Sequence, residues 1–151
     1  MNFIGKLLRG VIERGAKNLT LDDLHTNLET SGKKIAERFS VAADTPKNRS
    51  QANHVIGIER WGTRRLCVLL GEPYVRDEYD GYRPGEDKSM KELSGIFQQV
   101  RAETIQTFAR IRAGQLEGQT VEHNDFGPLD VRTWVYYLDS HAERESGRVK
   151  V

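Results

Sequence analysis

One cysteine in 151 residues leaves Cys67 without a partner for an intramolecular disulfide. A stapled-loop framework is therefore excluded, and a reducing setting, the cytoplasm, is expected. Cys67 sits in the apolar segment Leu66 to Leu70, so its thiol reads as inert and packed. An excess of charge is missing too: 23 lysines and arginines face 22 acids, a formal net charge of +1. That balance gives no field to hold a polyanion, and no dense basic stripe with interleaved aromatics occurs, so nucleic acid is not an expected ligand. No apolar run has the length of a membrane span, and none has the form of a signal-peptide core. Several catalytic signatures are also missing. Without a Gly-x-Ser-x-Gly elbow, the adjacent Asp139, Ser140 and His141 make no serine hydrolase, because neighbouring helical side chains diverge. Phosphoryl transfer is unexpected without a phosphate-cradling glycine loop, and Asp77, Glu78, Asp80 and Gly81 lack the ligand alternation of an EF-hand.

Hydrophobic residues at 37% and charged residues at 30% describe one compact domain with a richly charged surface. Four long helices are predicted, and no strand pattern competes, although Gln119 to Glu122 could be briefly extended. Thr20 can cap the first, whose Leu24, Leu28, Ile35 and Phe39 share a face, with Pro46 marking its end region. Ser50 can cap the second, from about Gln51 through Val55, Ile58, Gly62, Leu66 and Leu70 to a stop at Gly71 and Pro73. Glu72 to Asp87 carries three tyrosines, two prolines and no sustained period, and reads as an ordered loop. The third helix runs from Lys88 to about Ala113, with Met90, Leu93, Phe97, Val100, Thr104, Phe108 and Ile111 at spacings of three and four. Pro128 suits the first turn of the fourth. The expected fold is all-α: an antiparallel four-helix bundle over 18–151 with a long loop between its second and third helices. Residues 1–17 form a short extra amphipathic helix, with Phe3, Ile4, Leu7, Leu8, Val11 and Ile12 set among Lys6, Arg9 and Arg14, and a stop at Gly15. Docking on the bundle or on a second subunit is favoured for it over a membrane surface.

The fourth helix carries the most informative pattern. Trp134, Leu138, His141 and Glu145 follow one another at spacings of four, three and four, and so lie on one helical face. The stripe opens on core-type residues, so it turns His141 and Glu145 inward, where an imidazole and a carboxylate need partners. Polar groups across the core or a metal held by facing helices would serve. His54 lies about a turn from Ile58 and is the matching candidate on the second helix. A hydrogen-bonded core histidine is the competing reading for both imidazoles. Glu59 is turned roughly 140° away from His54 on the helical wheel and is expected to pair with an arginine. His25 is expected at the surface, and His123 in a loop.

The run His54, Val55, Ile56, Gly57, Ile58, Glu59, Arg60 resembles the histidine-bearing second helix of the DinB-like family of bacterial four-helix bundles. Phe97, Val100, Arg101 and Thr104 resemble that family's third helix. Asn124, Gly127, Pro128, Leu129, Val131 and Arg132 resemble the approach to its last helix, so the likeness spans roughly residues 20 to 149. It implies a divalent metal held by three imidazoles from two helices. His54 and His141 match two of those positions, and Glu145 stands where the family commonly has its third histidine.

A carboxylate suits zinc, nickel or iron beside two histidines, and zinc or nickel is the expected cofactor. Glu145 could instead turn outward to Arg144 or Arg148. Two functions follow from the resemblance. One is a metal-dependent hydrolase or thiol-dependent transferase acting on a small molecule, with Tyr74, Tyr79 or Tyr82 at its entrance. The other is a non-catalytic, stress-associated or binding bundle whose metal site has decayed. A homodimer is the expected assembly.

Overall fold

The computed structural model describes residues 2–151. It is mostly helical, with five helices and one small two-stranded sheet. The helices are α1 (Phe3–Lys17), α2 (Leu21–Val41), α3 (Pro46–Leu66), α4 (Met90–Ala113) and α5 (Val131–Ser146). Strands β1 (Thr120–His123) and β2 (Gly127–Asp130) form an antiparallel hairpin that pairs Val121 with Leu129 and His123 with Gly127.

Local chemistry explains the boundaries. Thr20 and Asp23 close a capping box at the start of α2, and Ser89 and Glu92 do the same for α4, each satisfying amide groups that have no helical acceptor. Thr45 caps α3 and Pro46 occupies its first turn. This corrects the expected start near Gln51: Pro46 opens the helix, because its fixed φ and missing N–H suit a first turn. A 3₁₀ turn, Cys67–Leu70, follows α3 and ends on Gly71, whose φ of 99° is left-handed. Pro128 is likewise corrected. It lies in β2, and α5 begins only after Asp130, whose side chain accepts from the Thr133 amide. The hairpin itself is a short sheet that the sequence reading lacked beyond its extended Gln119 to Glu122. Its strands are four residues each, too brief for an alternating pattern to stand out.

α2 and α3 each pack against both α4 and α5, and the core between them is continuous at two levels. One level gathers Leu24, Leu28, Trp61, Phe108, Trp134 and Leu138, and the other Phe39, Val55, Ile56, Leu93, Phe97 and Ala142. α1 lies against α5, with Ile12 packed on the edge of the first level. It runs past the expected stop at Gly15, where a Cβ would collide with the Tyr136 hydroxyl group, so the glycine serves close approach rather than termination. No helix among the described residues is long and apolar enough to cross a membrane.

Candidate metal centre

The stripe on α5 faces inward as expected. Trp134, Leu138, His141 and Glu145 are all buried, His141 at 7% and Glu145 at 6% exposure. Opposite stands the half-buried His54 of α3, and the two imidazoles meet through Nε2 at 3.2 Å. Burial pulls both imidazoles below the ordinary histidine pKa. His141, further lowered by His54 beside it, falls to about 4. Both rings are therefore neutral near pH 7. Two nitrogen lone pairs at that distance are tolerated in two ways: one nitrogen carries the ring proton and donates it, or both face a cation.

The separation can be compared with a ligand set. Two nitrogens each about 2.1 Å from a tetrahedral ion lie roughly 3.4 Å apart, close to the observed approach. Neutral imidazole is also the form that binds metal. The 3.2 Å approach suits two positions of one ion and equally a direct hydrogen bond between the imidazoles.

Glu145 is held differently. One carboxylate oxygen accepts from Arg144 Nε at 3.1 Å; the other accepts from Gln51 Nε2 at 3.0 Å and forms an ion pair with Arg148 at 3.1 Å. Burial raises the Glu145 pKa, but the hydrogen bonds from Arg144 and Gln51 outweigh it and leave a net lowering, so the group is ionised. Its charge acts on both histidines, yet among the described residues no three His, Cys, Asp or Glu side chains converge on one ion position. His141 Nδ1 is buried without a hydrogen-bond partner, whereas metal-ligating histidines usually donate from the second ring nitrogen to a carbonyl or carboxylate.

The loop between α3 and α4 supplies one wall. Tyr79 stands edge-on to His54 with ring centroids 5.4 Å apart. The loop can come this close because position 57 is glycine. A Cβ there would meet Arg83 Cγ at 3.0 Å and the Tyr79 carbonyl oxygen at 3.2 Å. Tyr74 and Tyr82 stand elsewhere: Tyr74 lies beneath Arg65, and Tyr82 donates to Asp77 at 2.5 Å. On the other side Tyr137 lies 5.8 Å from His141, its hydroxyl pKa raised by burial.

Two groups escaped the sequence reading, Gln51 and Arg65, and His123 stands elsewhere than expected. Gln51, at the expected start of its helix, holds both the backbone carbonyl and the side chain of Glu145. His123 is in β1 rather than a loop, 2% exposed and enclosed by Trp61, Phe126, Trp134 and Tyr137. Its Nδ1 accepts from the Asp125 amide, which places its proton on Nε2, and that atom has no partner. Burial and the nearby Arg65 push its pKa down to about 3. Arg65, itself 1% exposed, donates to Glu122, Asp77 and Asn124 and so ties the hairpin to the loop. Its signal was present in the sequence: Ile58, Trp61 and Arg65 share one helical face, and an arginine in an apolar stripe must find acceptors. His25 is partly exposed beside Glu29 on α2, away from the pair.

In comparisons with family models, with curated proteins and with solved structures, nothing matches this chain.

Proposed function

We propose that the chain is a DinB-like metal-binding protein, with α2 to α5 as its antiparallel four-helix bundle. His54 and His141 would be ligands of a divalent ion, zinc or nickel, and Glu145 the third donor. The Nε2 to Nε2 approach of 3.2 Å between two neutral, inward-facing imidazoles carries this reading. Glu145 is close enough in charge to influence both rings, and its arginine partners are 64% and 66% exposed. Ion pairs with such exposed partners are worth little, so exchanging one of them for a metal costs about 1 kcal/mol or less.

A bound divalent ion would supply Lewis-acid chemistry, lowering the pKa of a coordinated water or thiol for hydrolysis or transfer on a small molecule. The chain's own residues would position that chemistry. Tyr79 and Tyr137 flank the imidazoles and limit water on two sides, while Gln51 fixes the backbone and carboxylate of Glu145.

The competing reading, a binding bundle with a decayed site, is favoured by the two hydrogen bonds and the further ion pair that engage Glu145 and by the unpartnered His141 Nδ1. Metal analysis separates the two. Untagged protein purified without added metal should carry zinc or nickel in stoichiometric amount, and His54→Ala should abolish binding. Glu145→His removes the arginine pairs, adds an imidazole one turn from His141, and should tighten binding. A metal-free protein that refuses both ions, or an E145H affinity equal to that of the native chain, would leave the decayed-site reading standing.

A further inference from the structure

α1 docks by a narrow face and leaves a broader apolar face uncovered. On the docked face Gly5 and Ala16 are buried and Ile12 packs against the core, while Gly15 touches Tyr136 of α5. Arg9 anchors the same side by donating to the Phe126 carbonyl oxygen. The other five large apolar residues are exposed. Phe3, Ile4, Leu7, Leu8 and Val11 fall within an arc of about 140° on the helical wheel, and they are 47% to 80% exposed. A helix recruited only to cover the core would turn these side chains inward. Lys6 and Lys17 lie beside the stripe on the wheel, and Arg14 lies within its arc, one turn beyond Val11. The one acid of the helix, Glu13, is engaged by Arg9 at 2.6 Å.

We propose that α1 is a membrane-surface helix that lies in the plane of an anionic lipid leaflet. Phe3, Ile4, Leu7, Leu8 and Val11 sit among the acyl-chain ends, and Lys6, Arg14 and Lys17 sit at the headgroups. Charge complementarity selects this occupant over a second copy. Pairing two such faces sets the cationic residues of both copies together with no uncommitted acid to offset them. Area points the same way: five side chains on one short helix expose on the order of 500 Å², below the roughly 800 Å² per partner of a stable interface. A lipid surface has no such minimum, and near an anionic leaflet each lysine or arginine adds to the attraction.

Flotation of the full chain with vesicles tests the assignment. Vesicles of phosphatidylglycerol mixed with phosphatidylcholine should retain the protein, vesicles of phosphatidylcholine alone should retain far less, and added salt should release it. Lys6→Glu with Arg14→Glu should lower partitioning by roughly tenfold or more, and Leu7→Asp with Val11→Asp should abolish it. All four positions are exposed, so both variants should melt like the native chain. Absence of binding to the anionic vesicles, or equal binding to both kinds, would overturn the proposal. So would a dimer in sedimentation velocity that Leu7→Asp dissolves.

Discussion

Two polar clusters are buried in this fold, and they are satisfied to opposite degrees. Around Arg101, contacts are complete. Its Nε and Nη2 grip the two oxygens of Glu59 at 2.5 and 2.9 Å, while Nη1 donates to Asp139, Ser31 and the Leu28 carbonyl. Thr104 adds a hydrogen bond to Glu59, and Ser31 one to Asp139. The cluster thereby joins α2, α3, α4 and α5. Burial works against the guanidinium charge, but Glu59 and Asp139 outweigh it and hold the Arg101 pKa above its ordinary value. The histidines are in the contrary state: His54 and His141 share one contact, and buried atoms of His141 and His123 have no partner at all. A fully paired cluster holds helices in register, whereas spare ligand capacity is what a binding site needs.

Removing the centre of the paired cluster should give the largest effect. Arg101→Met strands Glu59 and Asp139 in the core and should cost about 3–5 kcal/mol in urea unfolding. A loss below about 1 kcal/mol would mean that water reaches the carboxylates, and the contrast between the clusters would collapse.

Next comes the acid response of the unpartnered imidazole His123. Its folded pKa, about 3, lies below the ordinary 6.5, so the unfolded chain binds the additional proton between those values. Its contribution to stability is complete above pH 6.5 and is lost as pH falls toward 3. Within that window it should add a slope of about 1.4 kcal/mol per pH unit to the acid limb. His123→Phe keeps a ring in the aromatic enclosure and should remove that slope in pH-dependent denaturation. Identical acid limbs for the two proteins would show that His123 takes up its proton in the fold as readily as in the unfolded chain.

The smallest change in stability is expected where a binding role is proposed. Replacing His54 and His141 together by leucine removes a polar pair without stranding a partner, so unfolding should shift by about 1 kcal/mol or less. Metal uptake should disappear in the same variant. A loss comparable to that of Arg101→Met would make the histidines structural, and the two clusters would be alike.

Much of the helical frame was legible because its signals are local. The stripe from Met90 to Ile111 and the run from Trp134 to Glu145 each repeat at the helical period, and both are buried as that period requires. Thr20 and Gly71 terminate elements where their chemistry suggested. Glu59 does pair with an arginine, as its wheel position implied, and the arginine is Arg101. The misreadings came from residues with two uses. A proline near a helix boundary serves equally to end one helix, to open the next or to sit in a short strand: Pro46 opens α3, and Pro128 lies in β2. The hairpin was obscure because each strand has four residues, and its stability comes from Arg65 and Trp134, which donate to the Glu122 and Val121 carbonyl oxygens from other elements.

The sequence by itself determined which residues are helical and which faces turn inward, because periodicity and capping act within one or two turns of chain. It also brought His141 and Glu145 onto one face, four residues apart. Which atoms meet across the core was decided by the tertiary structure alone. His54 reaches His141 because α3 packs on α5, and Arg144, Arg148 and Gln51 take up Glu145 because charge and hydrogen bonding act at short range between elements distant in sequence. The outward set of α1 belongs to the same class. Composition makes the helix amphipathic, but the packing of Ile12 and Ala16 on the bundle, with Gly15 against Tyr136 and Arg9 on the Phe126 carbonyl oxygen, decides which face the protein leaves uncovered.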